Sequence, residues 1–466
     1  MSDSLIAIDL GTSRLKVAAV ALDGTLQYAL ERRHQESKDQ FGAIQDPAGW
    51  WTDTQELLKN IVAKIPGQVL GIAISGRGGA GIFLDDNDRA ITGVWRDSRH
   101  AEQLKALRQA SLDCPSVVLN VLAKYQWVKE QNSPPIKRIC YAKDYLLLCL
   151  TGEHQTDWAT GPDGSAWGDA EDVVGNATRL PTSRLPWDIA GTIKKEVAAL
   201  AGLPSDTPVV VGAHDGLAAN IGSGAVSDRD LVVTLGTHAV VRANSAHKIV
   251  AAHHFYKLPP DLNIYGGNAL WAGRSVDWFL DLVHRSGEFD LLTSKRKPGA
   301  KGVSFLPYLG GQVAPERNAH RTGRFVGLRL EHDHMDLGQS ILEGTSFAVK
   351  EIFNQVVGWT GAPNFVRLSG GGSKSEGWVR ILANTLNQTL ELSDGYVESR
   401  GAAMCLAVAL GHHVDLRAAS ENMLVVTEAI KPERELVEEY AELYEQWAQL
   451  DRRSLRRSVR SVGLDR

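Results

Sequence analysis

Leu5-Ile6-Ala7-Ile8-Asp9-Leu10-Gly11-Thr12-Ser13 is followed by Leu15-Lys16-Val17-Ala18-Ala19-Val20-Ala21-Leu22-Asp23-Gly24. Two apolar runs joined by a short Gly-Thr-Ser stretch predict a pair of strands with a tight turn, and Asp23-Gly24 opens the next turn. The design returns about half a chain later, where Leu231-Val232-Val233-Thr234-Leu235-Gly236-Thr237-His238 leads into Ala239-Val240-Val241-Arg242. A repeat at this separation predicts two similar domains facing each other. A solenoid would repeat every 20 to 50 residues or so.

Outward from these hairpins, strands alternate with helices. Residues 68–75 read as a buried strand before the turn Gly76-Arg77-Gly78-Gly79-Ala80-Gly81, and residues 127–150 contain a helix flanked by loops. Val209-Val210-Val211-Gly212 is strand-like and runs into His214-Asp215-Gly216. Phe365-Val366-Arg367-Leu368-Ser369 runs into Gly370-Gly371-Gly372-Ser373, and Trp378, Ile381, Leu382 and Leu386 then recur at helical spacing. The alternation predicts an α/β fold with a largely parallel or mixed sheet in each domain. The expected boundary lies near Gly222-Ser223-Gly224, giving domains 1–224 and 225–466. The chain reads as helix from Pro432 on, and its Arg-rich end reads as a solvated face.

Composition narrows the class. Of 466 residues, 43 % are apolar and 23 % charged, as in a globular protein with a large core. With 50 basic and 55 acidic residues the net charge is -5, which offers no general attraction to nucleic acid or to an anionic membrane. No uninterrupted apolar run approaches a membrane span, and the obvious cluster Leu146 to Leu150 is far short of one. Met1-Ser2-Asp3-Ser4 does not look like a signal peptide. Cys114, Cys140, Cys149 and Cys405 show no CxxC spacing, so neither a disulfide framework nor structural zinc is expected. His253-His254, His332-x-His334 and His412-His413 lack acidic or cysteine partners at ligand spacing and read as ordinary histidines. The expectation is a cytoplasmic protein.

Three glycine clusters, each ending a strand, suit close approach of backbone to a phosphate or nucleotide. Asp9 at a strand end can organise Mg2+ through water; the plain alternative is a hairpin turn. Asp215 precedes a helix of small residues, where a carboxylate could accept a hydroxyl proton during phosphoryl transfer. Its plain alternative is a helix N-cap.

With these segments in order, the chain resembles the FGGY carbohydrate kinases of the actin and sugar-kinase ATPase superfamily, and most closely the xylulose kinase type. Asp9-Leu10-Gly11-Thr12 resembles the first phosphate motif, and Thr234-Leu235-Gly236-Thr237 the second. Gly71-Ile72-Ala73-Ile74-Ser75-Gly76 and Trp95-Arg96-Asp97-Ser98-Arg99 are similar to the segments beside the sugar. Lys124-Tyr125-Gln126-Trp127, Asp144-Tyr145-Leu146 and Leu150-Thr151-Gly152-Glu153 match the following helix and loop. Gly212-Ala213-His214-Asp215 resembles the segment bearing the base, Phe305-Leu306-Pro307-Tyr308-Leu309 a characteristic loop, and Ser369-Gly370-Gly371-Gly372 with Trp378 the adenosine motif.

The resemblance implies two actin-like (ribonuclease H-like) domains with a central cleft for ATP and a small sugar. The N-terminal domain would bind sugar and phosphate, and the C-terminal domain the nucleotide. Asp215 would be the base and Asp9 would organise Mg2+. Thr12, Ser13, Lys16, Gly236 and Thr237 would serve the phosphates, and Gly371, Gly372 and Ser375 the nucleotide. Arg77, Trp95 and Asp97, with Asp215, would line the sugar pocket. A homodimer is one assembly the family allows.

Two stretches depart from the family. Xylulose kinases usually carry Gln-Met-His, and glycerol kinases Gln-Arg-Glu, where this chain has Arg77-Gly78-Gly79. Either the pocket takes a bulkier or acidic sugar, or Arg77 pairs structurally with a carboxylate and another loop fills the gap. A Gly-Glu-Arg step is also absent from Gly310-Gly311-Gln312-Val313-Ala314-Pro315-Glu316-Arg317-Asn318. The expected function is ATP-dependent phosphorylation of a sugar hydroxyl, a ketopentose such as xylulose favoured. A polyol or sugar-acid kinase, or an actin-like ATPase or sugar-binding scaffold without kinase activity, is the alternative.

Overall fold

The structure, a computed structural model, describes residues 3–78, 80–95, 97–112, 114, 116–131, 133–161, 167–250, 254–285, 287 and 297–462. The chain folds into two compact units. The first comprises Met1–Val226, Tyr256–Asp261 and Tyr396–Val425, and the second Ser227–Phe255, Leu262–Gly395 and Val426–Arg466. The first passage between units lies two residues beyond Gly224, but a single boundary does not describe the chain, because Tyr396–Val425 returns to the first unit.

In the first unit β1 (Ser4–Leu10), β2 (Arg14–Ala21) and β3 (Leu26–Arg33) form an antiparallel meander. Beside β1 runs β4 (Val69–Gly76), parallel to it. β5 (Ile189–Thr192) and β6 (Pro208–Val210) follow, β6 parallel to β4 and β5 antiparallel to β6. The short β7 (Ala213–His214) also pairs in parallel with the end of β4. All seven residues of β1 are buried, as expected of a strand covered on both faces. On one face Ile6, Ile8, Leu10, Ile72 and Ile74 pack with Trp50, Leu57, Leu58 and Ile61 of helix Pro47–Val62. On the other, small residues predominate, and helix Val397–Ala409 lies close against β1 and β4.

That helix also meets helix Asp215–Gly222 backbone to backbone. A Cβ on Gly222 would overlap the Val397 carbonyl, and one on Gly401 the Ala218 carbonyl. Residues 127–150 hold more than the single helix expected. Trp127 lies in the last turn of helix Ser116–Glu130, then come strand Arg138–Tyr141 and helix Ala142–Thr151.

The second unit repeats the plan. β8 (Leu231–Leu235) and β9 (Ala239–Ser245) form the second hairpin, continued antiparallel by β10 (Leu262–Ala269). On the far side of β8 lie β11 (Val366–Ser369) and β12 (Leu390–Ser393), both parallel, then antiparallel β13 (Val426–Ile430). Among the strands named, both units therefore share one run of pairings: two antiparallel, two parallel, one antiparallel. Helix His334–Thr360 and helix Glu376–Leu386 cover this sheet, with Trp378, Ile381, Leu382 and Leu386 all in the core. Among the described residues no helix is long and apolar enough to cross a membrane.

Candidate active site

In the first unit the strand register sets the chemistry. Asp9 pairs with Lys16 on β2 and with Ser75 on β4, and Ser75 in turn with Ala213 on β7. Paired residues in neighbouring strands project to the same face, so Lys16, Asp9 and Ser75 form a row at the end of the sheet. The Ser75 hydroxyl donates to Asp9 Oδ1 at 2.7 Å, and Lys16 Nζ stands 3.7 Å from Asp9 Oδ2. Burial pushes the Asp9 carboxyl up to about 7, and the negative charges of Glu398 and Asp215 add to the rise against the pull of Lys16 and Ser75. Burial works against the Lys16 ammonium, but Asp9, Glu398 and Glu31 outweigh it and hold its pKa above the ordinary value. The result is a buried, electron-rich corner with a demand for positive charge.

Thr12 and Ser13 are exposed at the first turn, which Gly11 closes by donating to the Arg14 carbonyl at 3.0 Å. At the second turn Gly236 donates to the His238 carbonyl at the same distance, and Thr237 is exposed. The N-terminus of helix Ala272–Leu282 sits on that turn: Gly273 donates to Gly236 O at 3.0 Å and Arg274 to Thr237 O at 3.2 Å. Gly370 has φ +95°, and Cβ atoms on Gly370 or Gly372 would crowd Leu235; Gly371 has open space around it. Thus Gly236, Thr237, Gly371 and Gly372 come together in the second unit. Ser375 is placed differently. It is buried, and its hydroxyl accepts the Trp378 N–H as the cap of helix Glu376–Leu386.

Asp215 opens helix Asp215–Gly222. The N-cap is His214, whose Nδ1 accepts from Gly216 N at 3.0 Å. Asp215 therefore does not hold the capping position, although its Oδ1 accepts from the same Gly216 N–H at 2.7 Å. Its side chain is 33 % exposed, enough to meet a ligand. The ring of Tyr256 lies 5.3 Å from that of His214, and a Cβ on Gly216 would stand 2.5 Å from the Tyr256 hydroxyl. Nothing in the spacing of the sequence marks Tyr256, because the segment carrying it is embedded in the second unit's stretch of chain.

The residues expected around the sugar are mostly inward. Arg77 is buried; it donates to Gln45 Oε1 at 2.6 Å and to the Thr12 carbonyl at 3.3 Å, over the Trp50 ring at 4.7 Å. The Gln45 and Thr12 groups that it holds are neutral. Trp95 is core, tilted against Trp127 at 5.3 Å, with its indole N–H on His100. Asp97 is bound by Arg99 through 2.8 Å and 2.6 Å bonds, and Arg99 also bonds Asp39. The hydrogen bonds from Arg99, against the cost of burial, hold Asp97 below the usual carboxylate range. Lys124, not singled out as a site residue by sequence, donates to Trp95 O at 3.1 Å. Burial and then the charge of Arg77 push it down to about 8. Gly79, Arg96 and His253 lie outside the described residues. Among the described residues no cluster of three or more His, Cys, Asp or Glu side chains is arranged to hold a metal.

Two family models match this chain: the N-terminal domain of the FGGY family of carbohydrate kinases over residues 4–222, and its C-terminal domain over residues 231–410. The chain belongs to the FGGY carbohydrate kinases. A xylulose kinase of Escherichia coli (strain K12) is 29 % identical over 420 residues, covering 84 % of this chain and 86 % of that one. A gluconokinase of Bacillus licheniformis is 23 % identical, with 97 % and 96 % covered. The crystal structure of a xyloylose kinase from Brucella ovis matches with TM-score 0.84 and 26 % identity over 96 % of this chain and 98 % of that one. The repeated sheet plan is accordingly that of two actin-like domains, and this FGGY kinase is an ATP-dependent sugar phosphotransferase.

Proposed function

We propose that the protein phosphorylates a hydroxyl of a ketopentose, with D-xylulose the first candidate, and that Asp215 is the general base. The observation that carries the reading is Asp215 itself: a partly exposed carboxylate at the first position of a helix, oriented through Oδ1 by the Gly216 N–H. Such a group can accept the acceptor hydroxyl's proton as the oxygen attacks the terminal phosphate of ATP, which keeps the attacking oxygen in line. The first unit would hold the sugar and the second the adenosine, with Gly236, Thr237, Gly371 and Gly372 against the nucleotide. Ser375 would support that surface as a helix cap. Thr12, Ser13 and Lys16 would serve the phosphates from the first unit.

The donors around Asp9 fit a hydrated Mg2+, since a buried carboxylate beside the charges of Glu398 and Asp215 calls for a cation. Asp9 would hold the ion through its water shell, and the ion would neutralise charge on the phosphates. Asp215 would keep its role as proton acceptor. A cytoplasmic location belongs to this reading, consistent with four free cysteines.

The positive charges of Arg77 and Arg99, which both bear on Lys124, favour a sugar acid as the second reading. One experiment separates the two: ADP release with Mg-ATP and a panel of ketoses, aldoses, polyols and sugar acids. Turnover on D-xylulose supports the first reading, and turnover confined to sugar acids the second. Asp215→Asn should bind ATP as before and lose at least about 10²-fold in turnover; retained turnover rejects the base.

A further inference from the structure

Behind the Asp215 turn lies an ion cluster that the proposed chemistry does not use. Lys143, in the first turn of helix Ala142–Thr151, is 1 % exposed at its side chain, and Asp144 and Asp157 are fully buried. Its ammonium lies 2.6 Å from Asp144 Oδ1, 3.0 Å from Asp157 Oδ2 and 3.4 Å from the carbonyl of Val211. Asp157 is itself fixed, accepting from Ala159 N at 2.9 Å and from the Thr160 hydroxyl at 2.9 Å. Burial pushes Asp144 up to about 6. Asp157 is equally buried, yet the charges of Lys143 and His214 hold it below the usual range.

Val211 marks the point where the sheet is interrupted. β6 ends at Val210 and β7 begins at Ala213. Between them Val211 N and Gly212 N donate to Asp188 O at 3.0 Å and to Pro186 O at 2.9 Å instead of to β4. Gly212 has φ +77°, and a Cβ there would overlap the Ile74 carbonyl. The chain is thus turned sharply between the strand and Asp215, and Lys143 is the buried donor that reaches the Val211 carbonyl. His214, the cap of the Asp215 helix, is close enough for its charge to bear on Asp157.

A buried ion cluster of this kind is a poor source of stability, since well-packed apolar groups of similar volume often serve as well. Its geometry, joining three separate segments at this turn, points to placement instead. Building on the assignment of Asp215 as base, we propose that Lys143 is a positioning residue for Asp215: by holding the Val211 carbonyl it fixes the turn from which the carboxylate meets the acceptor hydroxyl. Small errors in such placement are costly, since displacement by about 1 Å can lower turnover on the order of 10²-fold.

The test measures kcat and KM of the full-length enzyme on the acceptor that gives the highest wild-type turnover in the panel above. The variants are Lys143→Met, Asp215→Asn and both together. A fourth variant, Lys143→Met with Asp144→Asn and Asp157→Asn, leaves no buried charge unpaired and so separates placement from folding. The expected result is a loss of at least about tenfold in kcat for Lys143→Met and for the charge-free variant, with KM for Mg-ATP within about twofold. In the Asp215→Asn background Lys143→Met should change the residual turnover by less than about twofold, because a residue acting through Asp215 has nothing left to place. Wild-type kcat in the charge-free variant, or a full tenfold further loss in the Asp215→Asn background, overturns the proposal. An inactive Asp215→Asn beside a fully active Lys143→Met rejects the positioning role alone. A fully active Asp215→Asn rejects the base and the positioning role together.

Discussion

Gly78 lies directly against the imidazole of His214: a Cβ built on Gly78 would overlap His214 Nε2 and Cδ2. The missing side chain at Gly78 thus leaves space that the imidazole occupies. His214 caps the Asp215 helix and is flanked on another side by Tyr256.

Gly78→Ala should push the imidazole away and disturb the acceptor side of the site. We expect KM for the sugar to rise at least about tenfold while KM for Mg-ATP stays within about twofold. Steady-state kinetics with each substrate varied in turn provides the check, and an unchanged sugar KM would mean that His214 moves without consequence.

Arg77 holds the Thr12 carbonyl and Gln45, so its substitution should be felt at the phosphate turn. Arg77→Met is expected to raise KM for Mg-ATP about fivefold or more, with a smaller effect on sugar KM. The reverse pattern, loss of sugar affinity alone, would place the guanidinium on the acceptor.

Gly401→Ala should destabilise the first unit. The obstructing atom is the backbone carbonyl of Ala218, which cannot swing aside as a side chain can, so a cost of about 2 kcal/mol or more is expected. Calorimetry should show a fall of about 5 °C in the affected transition. A melting curve that superposes on the wild type would show that the two helices can separate freely.

Glu343 supplies a pH dependence in the second unit. It is buried in helix His334–Thr360 and accepts from Gln339 Nε2 at 2.7 Å and Gly299 N at 2.9 Å. Burial pushes its carboxyl from 4.5 up to about 7. Because the folded value lies above the unfolded one, folding takes up a proton between them. The contribution to stability is fully present below about pH 4.5 and is lost as pH rises through about 7. Glu343→Gln keeps the acceptor oxygen without the charge, so it should melt higher than wild type at pH 8, and the gap should close near pH 4.5. Thermal scans at the two pH values test this, and a Gln variant less stable than wild type at pH 8 would contradict it.

Much of the fold is legible in local sequence, for physical reasons. β1 and β8 are central strands followed by glycine turns, and a strand buried on both faces leaves a continuous apolar run that no surface segment imitates. Asp9 and Asp215 stand out because a carboxylate directly after or before such a run is costly unless something requires it. Other features depend on register or on distant partners. Ser75 gains meaning only once β4 is laid parallel to β1, which brings it opposite Asp9. Lys143 reads as one charged residue at a helix start, since Asp157 and Val211 reach it only in the folded chain. Trp95 and Asp97 keep the family's residue types, yet packing turns the indole into the core and gives the carboxylate to Arg99. Residue type was visible there, and orientation was not.

The return of Tyr396–Val425 to the first unit has a consequence for biosynthesis. Helix Val397–Ala409 covers a face of β1 and β4, strands synthesised long before it. Until that helix has left the ribosome, the small-residue face of the nascent sheet has no cover, although the strands themselves can already pair. The first unit is therefore completed only after most of the second has been made, and its early strands must wait, shielded by chaperones or by one another, for a helix encoded far downstream.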